Sequence, residues 1–175
     1  FTILIIMLLL ASWISLRTTA LPRKTLLLNA IYSIVLGGVT VLLLMTQGVL
    51  SLKPWYSPSY MIPLGGMIFA SCMNSISLSA ERLESELKQG QTYEKAKVIA
   101  LRTSLIPITN MLLAVGLVSL PGMMTGQILS GVSPLIAVRY QIMVMCMIFG
   151  SSGISAAVFL HSAKDSFTEA KNRFE

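Results

Sequence analysis

Five apolar runs divide this chain, and nearly all of its formal charge lies between them. They are residues 1–16, 25–45, 59–79, 104–120 and 139–160. At about 1.5 Å per residue, a helix of roughly twenty residues crosses a hydrocarbon core of roughly 30 Å. Inside that core only a helix or a closed barrel satisfies its own backbone, and runs of this length fit helices. The pattern therefore predicts an all-α, polytopic transmembrane helical bundle with about five spans, forming a single membrane-spanning domain over residues 1–175. Phe1 already sits inside an apolar run, with no basic stretch or small-residue cleavage site. Upstream sequence is expected to be missing, so the chain reads as N-terminally truncated.

Small residues inside the runs mark where helices can approach closely: Gly37 and Gly38, the pair Gly66 and Ala70, and the pair Gly153 and Ala157. Pro107 is expected to interrupt the fourth run near its start, and Leu120-Pro121-Gly122 to end it. The glycines and serines that follow argue against a stable span, so residues 121–138 are expected to form an outer or re-entrant piece. Trp55, Tyr56 and Tyr60 look like an interfacial aromatic belt.

The chain has thirteen basic and seven acidic side chains, and nine of these lie between Glu81 and Arg102. Within that island Leu83 and Leu87 lie one turn apart, opposite most of the charges, and Glu84 and Lys88 form a favourable i,i+4 pair. Gly90 is expected to stop this amphipathic helix, with Thr92 capping a new one whose first turn holds Glu94. Residues 81–102 thus read as helix, elbow and helix, a docking surface presented to water. Alternating the spans puts eleven lysines and arginines on one side and two on the other. By the positive-inside rule the island, the first loop and the tail are cytoplasmic.

Composition narrows the class. With 54% hydrophobic and 11% charged residues and a mean hydropathy of +0.76, the chain belongs in a bilayer. The net charge of +6 sits beside the spans, where it sets topology, and no nucleic-acid partner is expected. Cys72 and Cys146 fall within apolar runs, and no disulfide is predicted. Met61, Met67, Met123, Met124, Met143, Met145 and Met147 either fill irregular packing gaps or offer soft thioether ligands to a cation such as Cu(I). His161 reads as a solvated end residue, and Ser151, Ser152 and Ser155 as helix-packing serines. No catalytic constellation, cofactor motif or metal-ligand spacing is present. Nor is there a Gly-rich, lysine-bearing phosphate loop, so any ATP must be bound by another chain.

Glu84, six residues ahead of Gly90 and followed by Thr92 and Ala96, resembles the cytoplasmic coupling loop of ABC transporter permeases. Ser85 and Glu86 stand where that pattern has two alanines, Gln91 replaces a small residue, and Pro107 comes about one turn late. Two further stretches are more specific: Tyr60-Met61-Ile62-Pro63-Leu64-Gly65-Gly66-Met67, and Val115 to Gly126 with Ser133-Pro134 and Tyr140 to Val144. Together they resemble the FetB family of bacterial iron-export permeases, which includes plant aluminium-tolerance membrane proteins.

The resemblance implies a permease subunit in the cell membrane that exports iron or a related metal or small solute. It also implies a separate cytosolic ATP-binding subunit, pairing of two permease subunits, and two upstream spans. Carried over by position, the coupling residues are Glu84, Gly90, Thr92 and Ala96, and the amphipathic face of the island adds Leu83 and Leu87 as apolar anchors for the ATPase. The pathway or helix-break residues are Asn110, Pro121, Gly122, Met123 and Met124. Asn110 and Leu113 stand where the family carries an acidic residue and a lysine. Two other readings stay open: a transporter or channel working without an ATPase, and a non-transporting scaffold of the same descent.

Overall fold

The computed structural model describes residues 2–19, 23–52, 54, 56–115 and 120–167. Lys53, Trp55, residues 116–119 and the tail from 168 onward lie outside the described residues.

Helix α1 is Thr2–Ser15. A long rod, α2, joins Arg23–Ile34, the π-helical turns Val35–Val39, Thr40–Leu43 and the π-helical turns Leu44–Val49 without interruption. Next come α3 (Pro58–Lys88), α4 (Tyr93–Ala114), α5 (Gly122–Leu129) and α6 (Pro134–Ser162). Among the described residues, four helices are long and apolar enough to cross a membrane: Leu26–Val49, Pro58–Lys88, Tyr93–Ala114 and Pro134–Ser162. Thr2–Ser15 is a shorter apolar helix beside them.

The centre of the bundle is the pair α3 and α6. Helix α3 packs against α1, α4 and α6, while α6 also packs against α2, α4 and α5. Ile68, Cys72 and Ile76 recur every fourth residue along α3 and are wholly buried, as is Phe159 on α6. That spacing places them on one helical face. Buried hydroxyls bond to their own helices: Ser12 donates to Leu8 O at 2.8 Å, Thr46 to Leu42 O at 2.9 Å, and Ser79 to Ile76 O at 2.9 Å. Such back-bonding lets a polar residue sit at a helix contact without an unsatisfied donor.

Glycine sets the closest crossings. A Cβ at Gly37 would stand 2.7 Å from Ser155 N and 3.0 Å from Ser151 O, so α2 and α6 meet nearly backbone to backbone. Gly38 is 3.2 Å from Ile68 Cγ2 by the same measure. Both glycines lie in the first π-helical segment. The Gly66/Ala70 face is only half used: a Cβ at Gly66 would stand 3.1 Å from Met7 Cε, whereas Ala70 is exposed.

Four boundaries differ from the sequence pattern. The third helix does not end at Ser79; it continues to Lys88. Pro58–Ala80 alone is about 35 Å long, so the charged last turns project beyond an apolar slab. Pro107 does not interrupt its helix, because α4 begins at Tyr93 and runs through it. The proline removes one backbone donor at an exposed position, which fourteen residues of preceding helix tolerate. That same helix stops at Ala114 rather than Leu120, with Val115 already extended. The last span begins at Pro134, five residues ahead of Arg139.

Candidate functional site

Two regions at opposite ends of the bundle gather the chain's chemistry. At the charged end, α3 turns into α4 through an elbow. Gly90 has φ +82°, a left-handed conformation that costs a residue with a Cβ about 1–2 kcal/mol. The N–H of Gly90 donates to Leu87 O at 3.0 Å and that of Gln91 to Glu86 O at 3.1 Å. These two bonds form a Schellman cap that closes the carbonyl end of α3. Thr92 occupies the N-cap of α4 with extended backbone, but its hydroxyl makes no capping bond. The N–H of Ala96 donates to Thr92 O at 2.9 Å, the first intrahelical bond of α4.

Ion pairs stiffen this end. Arg82 Nη2 lies 2.5 Å from Glu86 Oε1 and Lys88 Nζ lies 2.6 Å from Glu84 Oε1. Glu86 is 4% exposed and Glu84 9%, so both carboxylates lie in a less screened setting than surface pairs. Across helices, the Tyr93 hydroxyl donates to Leu160 O at 2.5 Å, and Asn29 Nδ2 donates to Ser162 O at 3.3 Å. Lys164 pairs with Glu94 at 3.3 Å and sits 5.8 Å from the Tyr93 ring centroid. The open carbonyl end of α6 is therefore bolted to the first residue after the elbow. Beside the elbow, an open groove of about 600 Å³ is lined by Gln91, Glu94, Lys95, Val98 and Ile99.

The predicted coupling residues divide by exposure. Gly90 and Thr92 are exposed at the elbow, and Leu87 is half-buried. Leu83 and Ala96 are wholly buried, so neither offers a surface to a partner. The helical face carrying Leu83 turns into the bundle because α3 needs it to pack on its neighbours. Exposed apolar area near the elbow comes instead from Val98, 50% exposed. Sequence spacing missed Tyr93 and Lys164, whose partners lie 67 and 70 residues away, and no local signal points to them.

At the opposite end, two adjoining chambers share Met67 and Met123 as a common wall. The smaller, about 360 Å³, is also lined by Met111, Met145, Pro121 and Gln141. The larger, about 680 Å³, adds Met143, Gln127, Tyr60 and Tyr140. Gln141 and Gln127 each hold a buried Oε1 with no hydrogen-bond partner. An unsatisfied buried acceptor costs about 1–3 kcal/mol, and one belongs to a lining residue of each chamber. Of the predicted pathway residues, Pro121 and Met123 line these chambers, Met124 is buried, and Gly122 is exposed at the start of α5. Asn110 and Leu113 are exposed on α4 and line neither chamber. Among the described residues, no group of three or more His, Cys, Asp or Glu side chains comes together.

Comparison with known proteins places this architecture. A UPF0014 membrane protein of Synechocystis sp. is 40% identical over 170 residues, covering 87% of this chain and 65% of its own length. The "Probable iron export permease protein FetB" of Escherichia coli is 28% identical over 178 residues, covering 93% and 67%. The Arabidopsis thaliana protein ALUMINUM SENSITIVE 3 is 34% identical over 127 residues, covering 64% and 46%. The chain thus spans about two thirds of the first two relatives and less than half of the third. No solved structure matches it significantly. Residues 1–167 match the family described as "Uncharacterised protein family (UPF0014)". With apolar helices long enough to cross a bilayer several times and relatives that are membrane proteins over most of its length, the chain is a multi-pass membrane protein that belongs to the UPF0014 family.

Proposed function

We propose that the chain is a permease domain of an ABC-type exporter in the cell membrane. A separate cytosolic ATP-binding subunit drives it, and two permease subunits work together. The cargo is iron or a related metal or small solute. The likeness to a relative named as an iron export permease supports this reading. The single observation that carries it is the elbow itself: a positive-φ glycine between two long helices, with its far side bonded to the end of α6 through Tyr93 and Leu160. A push on an exposed loop built this way moves helices rather than bending a tether. The excess of basic residues on the elbow's side supports a cytosolic position for it, and in this reading the open groove beside it takes the partner.

Residues about the elbow then have distinct roles. Gly90 and Thr92 set its angle, Glu84 and Leu87 hold the last turn of α3, and Leu83 and Ala96 pack the two helices from inside. Contact with the ATPase falls to Val98 and its neighbours in the groove.

The test compares three variants of the full-length protein in membranes with its ATPase. Gly90→Val and Val98→Asp should lose co-purification or transport-linked ATP hydrolysis while membrane abundance stays near wild type. Leu83→Asp should instead lose abundance, because it buries a charge in the core. Full coupling in both Gly90→Val and Val98→Asp would remove the elbow from the mechanism.

A further inference from the structure

We infer that the methionine-walled chambers at the end opposite the elbow form a binding site for a soft, weakly hydrated monovalent metal cation of the Cu(I) or Ag(I) class.

The side chains come from four elements. Met67 is on α3, Met111 on α4, Met123 on α5, and Gln141 and Met145 on α6, all around the smaller chamber. Four of its nine lining residues are thioethers, the donors that select soft metals over hard ones. Methionine used only as packing would not explain the polar member of the set. Gln141 is 5% exposed, lines the same chamber, and its Oε1 has no partner. A carbonyl oxygen in that state asks for a donor or a cation. In the adjoining chamber Gln127 Oε1 is buried in the same condition.

Charge decides which cation fits. No lining residue of either chamber carries a formal charge. A cation held there keeps its full charge in a low-dielectric site, and the desolvation cost rises with the square of that charge, so a divalent ion pays about four times as much as a monovalent one of equal size. Hard divalent ions such as Fe(II) also want carboxylate or imidazole. A soft monovalent ion accepts neutral sulfur and one amide oxygen.

Backbone geometry supports the placement. Val115, which follows α4, and Pro121, which precedes α5, both have extended backbone, and both line the chamber. Non-helical backbone at membrane depth is tolerated where it lines a cavity, and broken helices mark binding sites in transporters.

Calling the cation a cargo rests on the permease reading and takes a soft monovalent metal, not iron, from the range of cargoes proposed there; the binding itself does not rest on it. It is therefore measured without the ATPase. Full-length protein in nanodiscs should take Cu(I) from bicinchoninate with sulfur scatterers at the copper K-edge, and Fe(II) should not compete. The double variant Met67→Leu/Met123→Leu should weaken Cu(I) binding at least tenfold, and Gln141→Leu severalfold. Met73→Leu, outside both chambers, should leave it unchanged. Elution profile and helicity check that each variant folds, and leucine for methionine conserves volume. No Cu(I) or Ag(I) binding, binding indifferent to Met67 and Met123, or Fe(II) bound equally well would each overturn the inference. Binding that persists in a protein with no ATPase coupling would leave this site standing and remove only the permease reading.

Discussion

Gly37→Ala isolates the contact that sets the spacing of α2 and α6. The added Cβ would stand 2.7 Å from Ser155 N and 3.0 Å from Ser151 O. Ordinary contacts sit near 3.5 Å, so the two helices must separate by about 0.5–0.8 Å. Ser155 Oγ lies closer still and can rotate away, but Ser155 N and Ser151 O are backbone, and no side-chain rotation relieves them. Overpacking of this kind costs about 1–3 kcal/mol. Alanine recovers about 0.5–1 kcal/mol of the entropy that glycine loses in a helix, leaving a net loss of about 1–2 kcal/mol. Gly150, on α6 itself, is the control: nothing lies within 4 Å of its added Cβ, so Gly150→Ala should be neutral or stabilise by up to about 1 kcal/mol. At about 2–4 °C per kcal/mol for a chain of this size, the two variants should differ by roughly 2–12 °C. The assay is thermal unfolding of both proteins in one detergent, followed by intrinsic fluorescence. If Gly37→Ala melts at or above Gly150→Ala, the backbone-to-backbone crossing is wrong.

Further outcomes follow from the charged end. Tyr93→Phe removes the bond to Leu160 O and should cost about 0.5–1.5 kcal/mol, with faster amide exchange confined to the end of α6; uniform exchange changes would argue against a local bolt. Glu94→Gln breaks an exposed pair with Lys164 and should cost no more than about 1 kcal/mol, vanishing in high salt. Arg82→Ala strands the 4% exposed carboxylate of Glu86 and should destabilise the protein more than Glu94→Gln; equal shifts in melting temperature would contradict that burial. For topology, Gln89→Cys should resist an impermeant thiol reagent applied from outside while Ser130→Cys reacts, and the reverse labelling would invert the orientation.

Much of this architecture is local, and the sequence alone determined it. Apolar runs of membrane-crossing length dictated an all-α bundle, because lipid leaves the backbone no other partner. Gly90 was legible as the elbow since a left-handed residue after a charged amphipathic turn is a property of a few neighbouring positions. Gly37 was legible as a place where a second helix could come close, because glycine has no Cβ, but that α6 fills it depends on packing. Which face of each helix meets protein was decided only by the tertiary structure. Lipid tails and protein interiors are about equally apolar, so hydropathy could not tell the wholly buried Leu83 from the 66% exposed Leu113. The same limit hid the end of α4 at Ala114, since the sequence from Val115 to Leu120 is mostly apolar. Tyr93 meeting Leu160 and four helices bringing methionine and Gln141 around one chamber depend on distant segments packing together, and no local spacing carries that information.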